Sequence, residues 1–514
     1  MNCRSCLFFA FALLLAVSVT AGAAPRDDKG SVLRALAGRV GHVLGAASAC
    51  PAINKARIKG ISDRIVDVIK TSAANEEEST AIIETLNTSQ SEGARGVTSR
   101  QTDCATADRE LSDLESASAP QGNPAPVQAQ QQSGPAQPAS AVRGVTNNEI
   151  RFGIAAAFSG ANKDLGQQMR IGIEAAFRAA NDVGGVHGRM LRLIAADDGY
   201  EPARTSEAMK QLYDKDQVFG FIGNVGTPTA VVSVPFALER RTLFFGAFTG
   251  AGLLRRDPPD RYVFNYRASY AEETDAAVHY LIKIRRLKPE QIAVFAQQDA
   301  YGDAGFAGVA KAMRVLRGGD GGYILRIGYQ RNTVDVDAAI AQLKAHKTPI
   351  KAVVMVPGYR AAAKFIEKTR DAYPGLIYTS VSFVGSTSLR DELMLLGPRF
   401  AAGVIVTQVV PAVEGYSSLV LQYKAALSKF FGGESSDYVS LEGYIDAQIM
   451  IEALKRAGPQ LDTEKLVDIL ENMRDFDLGL GTYINFSRSD HQGSHKVWGT
   501  QLSDAGKFEA IELQ

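Results

Sequence analysis

Residues 149–198 read EIRFGIAAAFSGANKDLGQQMRIGIEAAFRAANDVGGVHGRMLRLIAADD, and this stretch decides the fold. It opens on an apolar run at 150–156, short for a buried helix and right for a strand covered on both faces. A turn with Ser159-Gly160 follows, and then Leu165, Met169, Ile173 and Phe177 recur at every fourth residue, the stripe of an amphipathic helix. Gly184-Gly185 stops that helix, and a second apolar run covers 191–196. Strand, crossover helix, strand is the unit that lays two strands parallel. Further apolar runs at 218–222, 243–247, 292–296, 323–327, 352–356, 376–380 and 403–407 alternate with helical stripes. Nine such strands suit two parallel sheets of four or five, covered by helices on both faces: an α/β fold. Beyond 407 the strands stop, and helices expected at 417–431, 441–457 and 463–472 should fold back on the first sheet.

Upstream, the composition changes twice. Residues 118–147 are crowded with Pro, Gln, Ala, Ser and Gly, so burial cannot offset the entropy of ordering and the segment reads as a disordered linker. Residues 24–117 read as a small all-α module. Apolar positions Leu33, Leu36, Val40, Val43 and Leu44 mark one helix face, Ile58, Ile61, Ile65, Val68 and Ile69 a second, and Ala81, Ile82, Ile83 and Leu86 a third. Either Ser79 or Asn75 opens the third helix, and Cys104 begins a fourth. Residues 1–23 place Arg4 ahead of an apolar stretch at 7–19 and the small residues Ala21-Gly22-Ala23, the layout of a cleaved signal peptide. That stretch falls short of the roughly 20 residues a spanning helix needs. The expected location is the periplasm. In an exported chain Cys50 and Cys104 suggest a disulfide, two buried thiols being the alternative.

The chemistry-bearing residues are few. Lys plus Arg and Asp plus Glu both total 56, which gives no electrostatic case for nucleic acid or an anionic membrane. P-loop, G-x-G-x-x-G and G-x-S-x-G patterns are absent where a strand meets its helix, so no enzyme activity and no cofactor are expected. His491 and His495 lie in a polar stretch and read as solvated, so no metal site is expected. Asp197-Asp198 reads as a loop brace or helix cap. Open parallel sheets bind ligands past the carboxyl ends of their strands. There the sequence places Ser159, then Gly223-Asn224-Val225-Gly226-Thr227-Pro228-Thr229, then Gly246-Ala247-Phe248-Thr249-Gly250. Backbone N–H groups at a helix start, with the Thr227 and Thr249 hydroxyls, suit a carboxylate; the same residues also suit ordinary capping.

The order of motifs resembles the type I periplasmic solute-binding proteins, in the branch that serves leucine, isoleucine and valine ABC transporters. The resemblance is carried by Glu149 to Ile154, Phe158-Ser159-Gly160, Ala179-Ala180-Asn181-Asp182, Gly184 to Arg189, Asp197-Asp198, Gly223 to Thr229, Asp299-Ala300-Tyr301-Gly302 and Pro357-Gly358-Tyr359, and it spans 148–514. It implies two Rossmann-like lobes joined by three hinge crossings, a Venus-flytrap clamp closing on a small molecule. The crossings are expected near 267–270, 407–411 and 485–489. The first lobe would take about 148–267 and 411–485, the second about 268–407 and 489–514. Ser159, Gly226, Thr227, Ala247 and Thr249 of the first lobe, with Tyr301 and Tyr359 of the second, are the ligand-binding positions the resemblance implies. Expected partners are an amino acid, an aromatic or aliphatic carboxylate or an amide, and an ABC permease or a membrane sensor. The helical module has no counterpart in simple relatives and is expected to bind another envelope protein.

Two departures stand out. Leu165 takes the place of an aromatic residue after the first strand. The second-lobe segment where amino-acid binders carry an acid for the α-ammonium reads Val381-Ser382-Phe383-Val384-Gly385. An ammonium buried without a counter-charge is costly, so either the ligand lacks an ammonium or a neighbouring acid such as Asp299 takes that place. The family's cysteine pair is also replaced, by Tyr200 and Gly226.

Overall fold

In a computed structural model the described residues are 29–51, 53–73, 75–98, most of 104–114, 142–317 and 324–513. The expected signal peptide and most of the linker lie outside them. The chain divides into two compact units, one within residues 1–135 and the other within 136–514.

The first unit holds helices Lys29–Ser48, Lys55–Ser72 and Glu76–Thr98, and further helical residues within 104–114. Val40, Leu44, Ile61, Ile65, Ile69, Ile82 and Leu86, from all three expected apolar faces, are buried together. Asn75 opens the third helix, its Oδ1 accepting the Glu78 N–H at 2.8 Å, and Ser79 lies inside it. Glycine brings the first and third helices into backbone contact: a Cβ at Gly45 would meet the Gln90 carbonyl oxygen at 1.9 Å. Cys50 and Cys104 form a disulfide across a Cα separation of 5.6 Å.

The second unit contains both sheets. Strands β1 (Glu149–Ala156), β2 (Met190–Asp197), β3 (Gly220–Ile222), β4 (Leu243–Phe245) and β5 (Val263–Phe264) form a parallel sheet in the order β2-β1-β3-β4-β5. The next strands are β6 (Ile292–Gln297), β7 (Leu325–Tyr329), β8 (Ala352–Val356), β9 (Ile377–Ser380) and β10 (Ile405–Gln408), all parallel. The expectation that strands end at 407 fails. A hairpin β11 (Phe476–Asp477) and β12 (Tyr483–Ile484) follows, and β13 (Trp498–Leu502) and β14 (Phe508–Ile511) extend the second sheet antiparallel, giving β14-β13-β10-β9-β8-β6-β7. These strands escape a search for apolar runs because they alternate or are very short. Leu165, Met169, Ile173 and Phe177 are buried as their spacing requires. Against their helix pack Ser418–Phe430 and Tyr438–Ala457, as the folding-back of the late helices predicts.

The ends of the linker region and of the crossings need correction. Residues 142–147, placed by composition in the linker, pack on the first sheet: Val145 bridges Ile150, and Gly144 passes so close to Phe219 that a Cβ would meet its nitrogen at 2.2 Å. Three segments pass side by side between the sheets. Asn265 donates its N–H to the His491 carbonyl (2.8 Å) and accepts the Gly493 N–H (2.7 Å); Ser494 N–H reaches the Tyr266 carbonyl (2.9 Å), and Tyr266 OH the Val409 carbonyl (3.0 Å). The third passage thus runs through 491–494, whereas 487–490, which overlaps the end of the expected span, makes a tight turn. His491 is not solvated: it is buried, stacked on Phe264 at 3.8 Å, with Nδ1 on the Val263 carbonyl.

Candidate functional site

After β3 the chain turns through Gly223 and Gly226, both at positive φ, into helix Thr227–Glu239. Gly226 is required there twice over, since a Cβ would also sit 2.3 Å from Tyr200 Cε2. Tyr200 and Gly226 are therefore in direct contact. The turn delivers Thr227 Oγ1 to Thr249 Oγ1 at 2.7 Å, both residues fully buried. Ala247 shapes the second turn, its carbonyl accepting the Thr249 N–H at 2.7 Å.

Tyr270 opens the helix that follows the first crossing and brings a third hydroxyl to this pair. Its phenol is buried and has no hydrogen-bond partner of its own among the described residues. Burial pushes it up to about 12, a rise restrained by the Arg267 charge and by the Thr249 and Thr227 hydroxyls beside it. Above the hydroxyls lies a cluster of rings from both lobes. Phe383 of the second lobe stacks on Phe248 of the first at 5.2 Å, and stands 4.5 Å from Tyr301, 6.1 Å from Tyr200 and 6.3 Å from Tyr270. Behind Phe248, at 4.7 Å from its centroid, lies the Arg267 guanidinium, buried at the first crossing. It contacts Ser382 of the second lobe, Glu273 at 3.2 Å and Glu442 at 3.4 Å, with Nε and Nη1 making no hydrogen bond among the described residues.

Of the residues expected at the site, Thr227, Thr249 and Tyr301 come to this one cluster, with Gly226 and Ala247 framing it. The Tyr301 hydroxyl is committed to the Pro357 carbonyl at 3.3 Å, so its ring faces the cluster as a wall. Ser159 is committed elsewhere, its hydroxyl donating to Asp197 at 2.6 Å. Asp197 also receives the Phe158, Ser159 and Gly199 N–H groups; although burial opposes them, these donors hold its carboxyl at about 2, the brace role the sequence allowed. Tyr359 donates across the lobes to Asp164 at 2.7 Å, on a groove shared with Gln168, Thr387 and Asp391. Leu165 is buried against Gly385, at the end of the 381–385 segment. The sequence reading missed Tyr200, Phe248, Tyr270 and Phe383 as ring partners, and Arg267 as more than a crossing residue. The one signal for them was the position of Phe383 where an acid was sought.

The lobes are closed on each other at the rim as well. Arg331 of the second lobe reaches Glu201 of the first at 2.8 Å, and Asn332 bonds Glu201 (2.6 Å), the Gly199 carbonyl (3.1 Å) and Asn162 (3.1 Å).

A family model for periplasmic binding proteins matches residues 149–507, both lobes and all three crossings. The chain belongs to the periplasmic binding protein family. This periplasmic binding protein superposes on a possible leucine/isoleucine/valine-binding protein from Rhodopirellula baltica SH 1 with a TM-score of 0.68 at 38% identity, covering 73% of this chain and 98% of the other. An amino acid binding protein of Pseudomonas aeruginosa is 24% identical over 337 residues, 62% of this chain and 82% of that protein. A fatty acid ABC transporter substrate-binding protein from Thermomonospora curvata shares the fold at 19% identity, with a TM-score of 0.64 over 72% of this chain and 93% of its own. The type I clamp is thereby established for residues 149–507, and the helical unit lies outside the match. Among the described residues no helix is long and apolar enough to cross a membrane.

Proposed function

We propose that this protein is the periplasmic solute-binding component of an ABC-type importer, closing over an amino acid or a related small carboxylate or amide and presenting it to a permease. The observation that carries the reading is the Thr227–Thr249–Tyr270 group. Three hydroxyls converge at the carboxyl ends of β3 and β4, beside a helix start, and are covered by rings from the opposite lobe. Such a group donates to a carboxylate and, with the lobes closed, excludes water from it. In this reading no bond is made or broken. The names of the relatives supply the solute class, amino acids foremost.

A thermal-shift screen of amino acids, carboxylic acids and amides tests it, because a ligand specific for the folded state raises the melting temperature. For any hit, Thr227→Val with Thr249→Val should weaken binding by about tenfold or more, as loss of hydrogen bonds to a charged group of about 1.5–3 kcal/mol implies. An unchanged affinity would move the site elsewhere. A sensing receptor on the same fold is the second reading, favoured by the separate disulfide-linked helical unit. Specific capture of an envelope protein by residues 25–117 would decide for it.

A further inference from the structure

We infer that the cleft is built for an aromatic carboxylate without an α-ammonium, its ring held between Phe248 and Phe383 and its carboxylate on the Thr227, Thr249 and Tyr270 hydroxyls. The inference rests on the solute-binding reading and narrows it to one chemical class.

The first argument is that the acids near the rings are taken or neutral. Glu273 accepts from Arg267 (3.2 Å), from the Ser382 N–H (2.7 Å) and from Thr407 (2.6 Å), all buried. Asp299 accepts from Gln297 (2.7 Å), from the Tyr301 N–H (3.0 Å) and from Arg331 (3.1 Å). Asp164 holds the Tyr359 hydroxyl. Asp446 is set against Gly246 and Glu442 against Arg267, and burial favours the protonated form of both. The position that faces the cleft from the second lobe carries Phe383. An ammonium brought here would meet rings and donors, and desolvating it without a partner is unfavourable. A carboxylate meets the opposite condition: the Tyr270 hydroxyl is buried with no acceptor, next to two more hydroxyls.

The second argument is shape. Phe383 stacks on Phe248 with their planes 29° apart, and Tyr301 closes one side at 4.5 Å. Phe248 belongs to the first lobe and Phe383 to the second, so a hinge opening of about one ring thickness, roughly 3.5 Å, turns their contact into a slot. A flat ring refills that slot with the same offset-stacked contacts that the two phenylalanines now make with each other. A branched aliphatic chain fills it poorly.

The test is isothermal titration of the full chain with four solutes that separate ring from ammonium: 3-phenylpropionate, L-phenylalanine, 4-methylpentanoate and L-leucine. The expected order puts 3-phenylpropionate first, with the other three at least about tenfold weaker. L-Phenylalanine or L-leucine binding as tightly as 3-phenylpropionate would overturn the missing-ammonium claim. Equal binding of 4-methylpentanoate would overturn the ring slot. Silence of all four overturns the inference, while the solute-binding reading is then judged by the wider thermal-shift screen. Two variants keep the result tied to the slot. Phe383→Leu should weaken 3-phenylpropionate about tenfold and spare 4-methylpentanoate; Phe383→Asp should reverse the preference between 3-phenylpropionate and L-phenylalanine. A Phe383→Leu protein that melts like the parent and binds 3-phenylpropionate unchanged refutes the assignment.

Discussion

Arg267 sits among more acid than it can neutralise. Its guanidinium touches Glu273 and Glu442, and the carboxyl of Asp446 lies close by with neither oxygen hydrogen-bonded among the described residues. Removing ions from water costs several kcal/mol apiece, so Arg267, with the buried Arg255 also attracting Glu442, does not hold three neighbouring carboxylates ionised. The physical outcome is proton uptake. Burial pushes Glu442 up to about 7 against the attraction of Arg267, and pushes Asp446 well above the carboxylate range. The native state therefore keeps a proton on Glu442 that the unfolded chain, with its carboxyl at 4.5, has lost. Stability from this group is present below about 4.5 and declines as pH rises toward about 7. His495, raised by its bond to Glu272, adds a loss of the same sign at higher pH. Glu272 works oppositely: despite burial, bonds from His495 and Ser269 hold it at about 2, and its contribution is lost only in acid. Denaturant unfolding of the two-lobed unit should thus show stability falling between pH 5 and 7.5, with Glu442→Gln flattening the fall by a few kcal/mol, at about 1.4 kcal/mol per pKa unit. Parallel profiles for the parent and the variant would remove Glu442 from the account.

Among the elements, the helical unit and the sheets answer different questions. The Cys50–Cys104 bond closes a loop across a sequence separation of 54, and the chain-entropy picture gives it about 4 kcal/mol. Reduction, or Cys50→Ala with Cys104→Ala, should melt the helical unit several degrees earlier or unfold it at ambient temperature. The transition of the two-lobed unit should stay in place, and calorimetry separates the two. A common shift of both transitions would mean that they unfold as one. The elements legible from sequence were those with an apolar run or a clear period: β6 and β8 are buried throughout and β1 nearly so, β2 at the sheet edge is half-exposed but keeps the run from Leu191 to Ala196, and the helix carrying Leu165, Met169, Ile173 and Phe177 shows its period plainly. β13 and β14 were not legible: β13 is interrupted by Gly499, Thr500 and Gln501, and β14 is an edge strand with half-exposed Phe508 and Ile511. The hydroxyl pair was half legible, because Thr227 and Thr249 follow strands whose ends could be read. The ring cluster was not. Tyr200, Phe248, Tyr270, Tyr301 and Phe383 come from separate stretches of the chain, and the segments that pass between the sheets at Asn265-Tyr266, Val409 and 491–494 bring the two lobes' rings together.

For the two lobes taken together, closure is held by contacts of two kinds that differ in strength. The rim bonds from Arg331 and Asn332 to Glu201, and from Tyr359 to Asp164, are partly exposed, and exposed ion pairs each contribute about 0–1 kcal/mol. The buried layer of Phe383 against Phe248, with Arg267 against Ser382, removes aromatic surface from water, and a fully buried aromatic side chain contributes about 1.5–3 kcal/mol. A solute that enters between the rings replaces their direct contact by its own and holds the lobes about one ring thickness further apart, a gap that the long, flexible Arg331 and Glu201 side chains span at the rim. The rim should therefore act as a latch on the loaded clamp, setting how long the solute stays more than how fast it arrives. Glu201→Gln removes the cross-lobe charge pair while Arg331 stays on Asp299, so neither the hydroxyl group nor the rings are touched. With about 1–1.4 kcal/mol lost from the closed form, solute dissociation should quicken by roughly five- to tenfold at a nearly constant association rate, as stopped-flow mixing would read it. High salt should narrow the gap between parent and variant, because the pair is solvent-screened. If the variant releases solute at the parent's rate, closure depends on the buried layer alone, and Phe383 then sets both the occupant of the cleft and the time it is held.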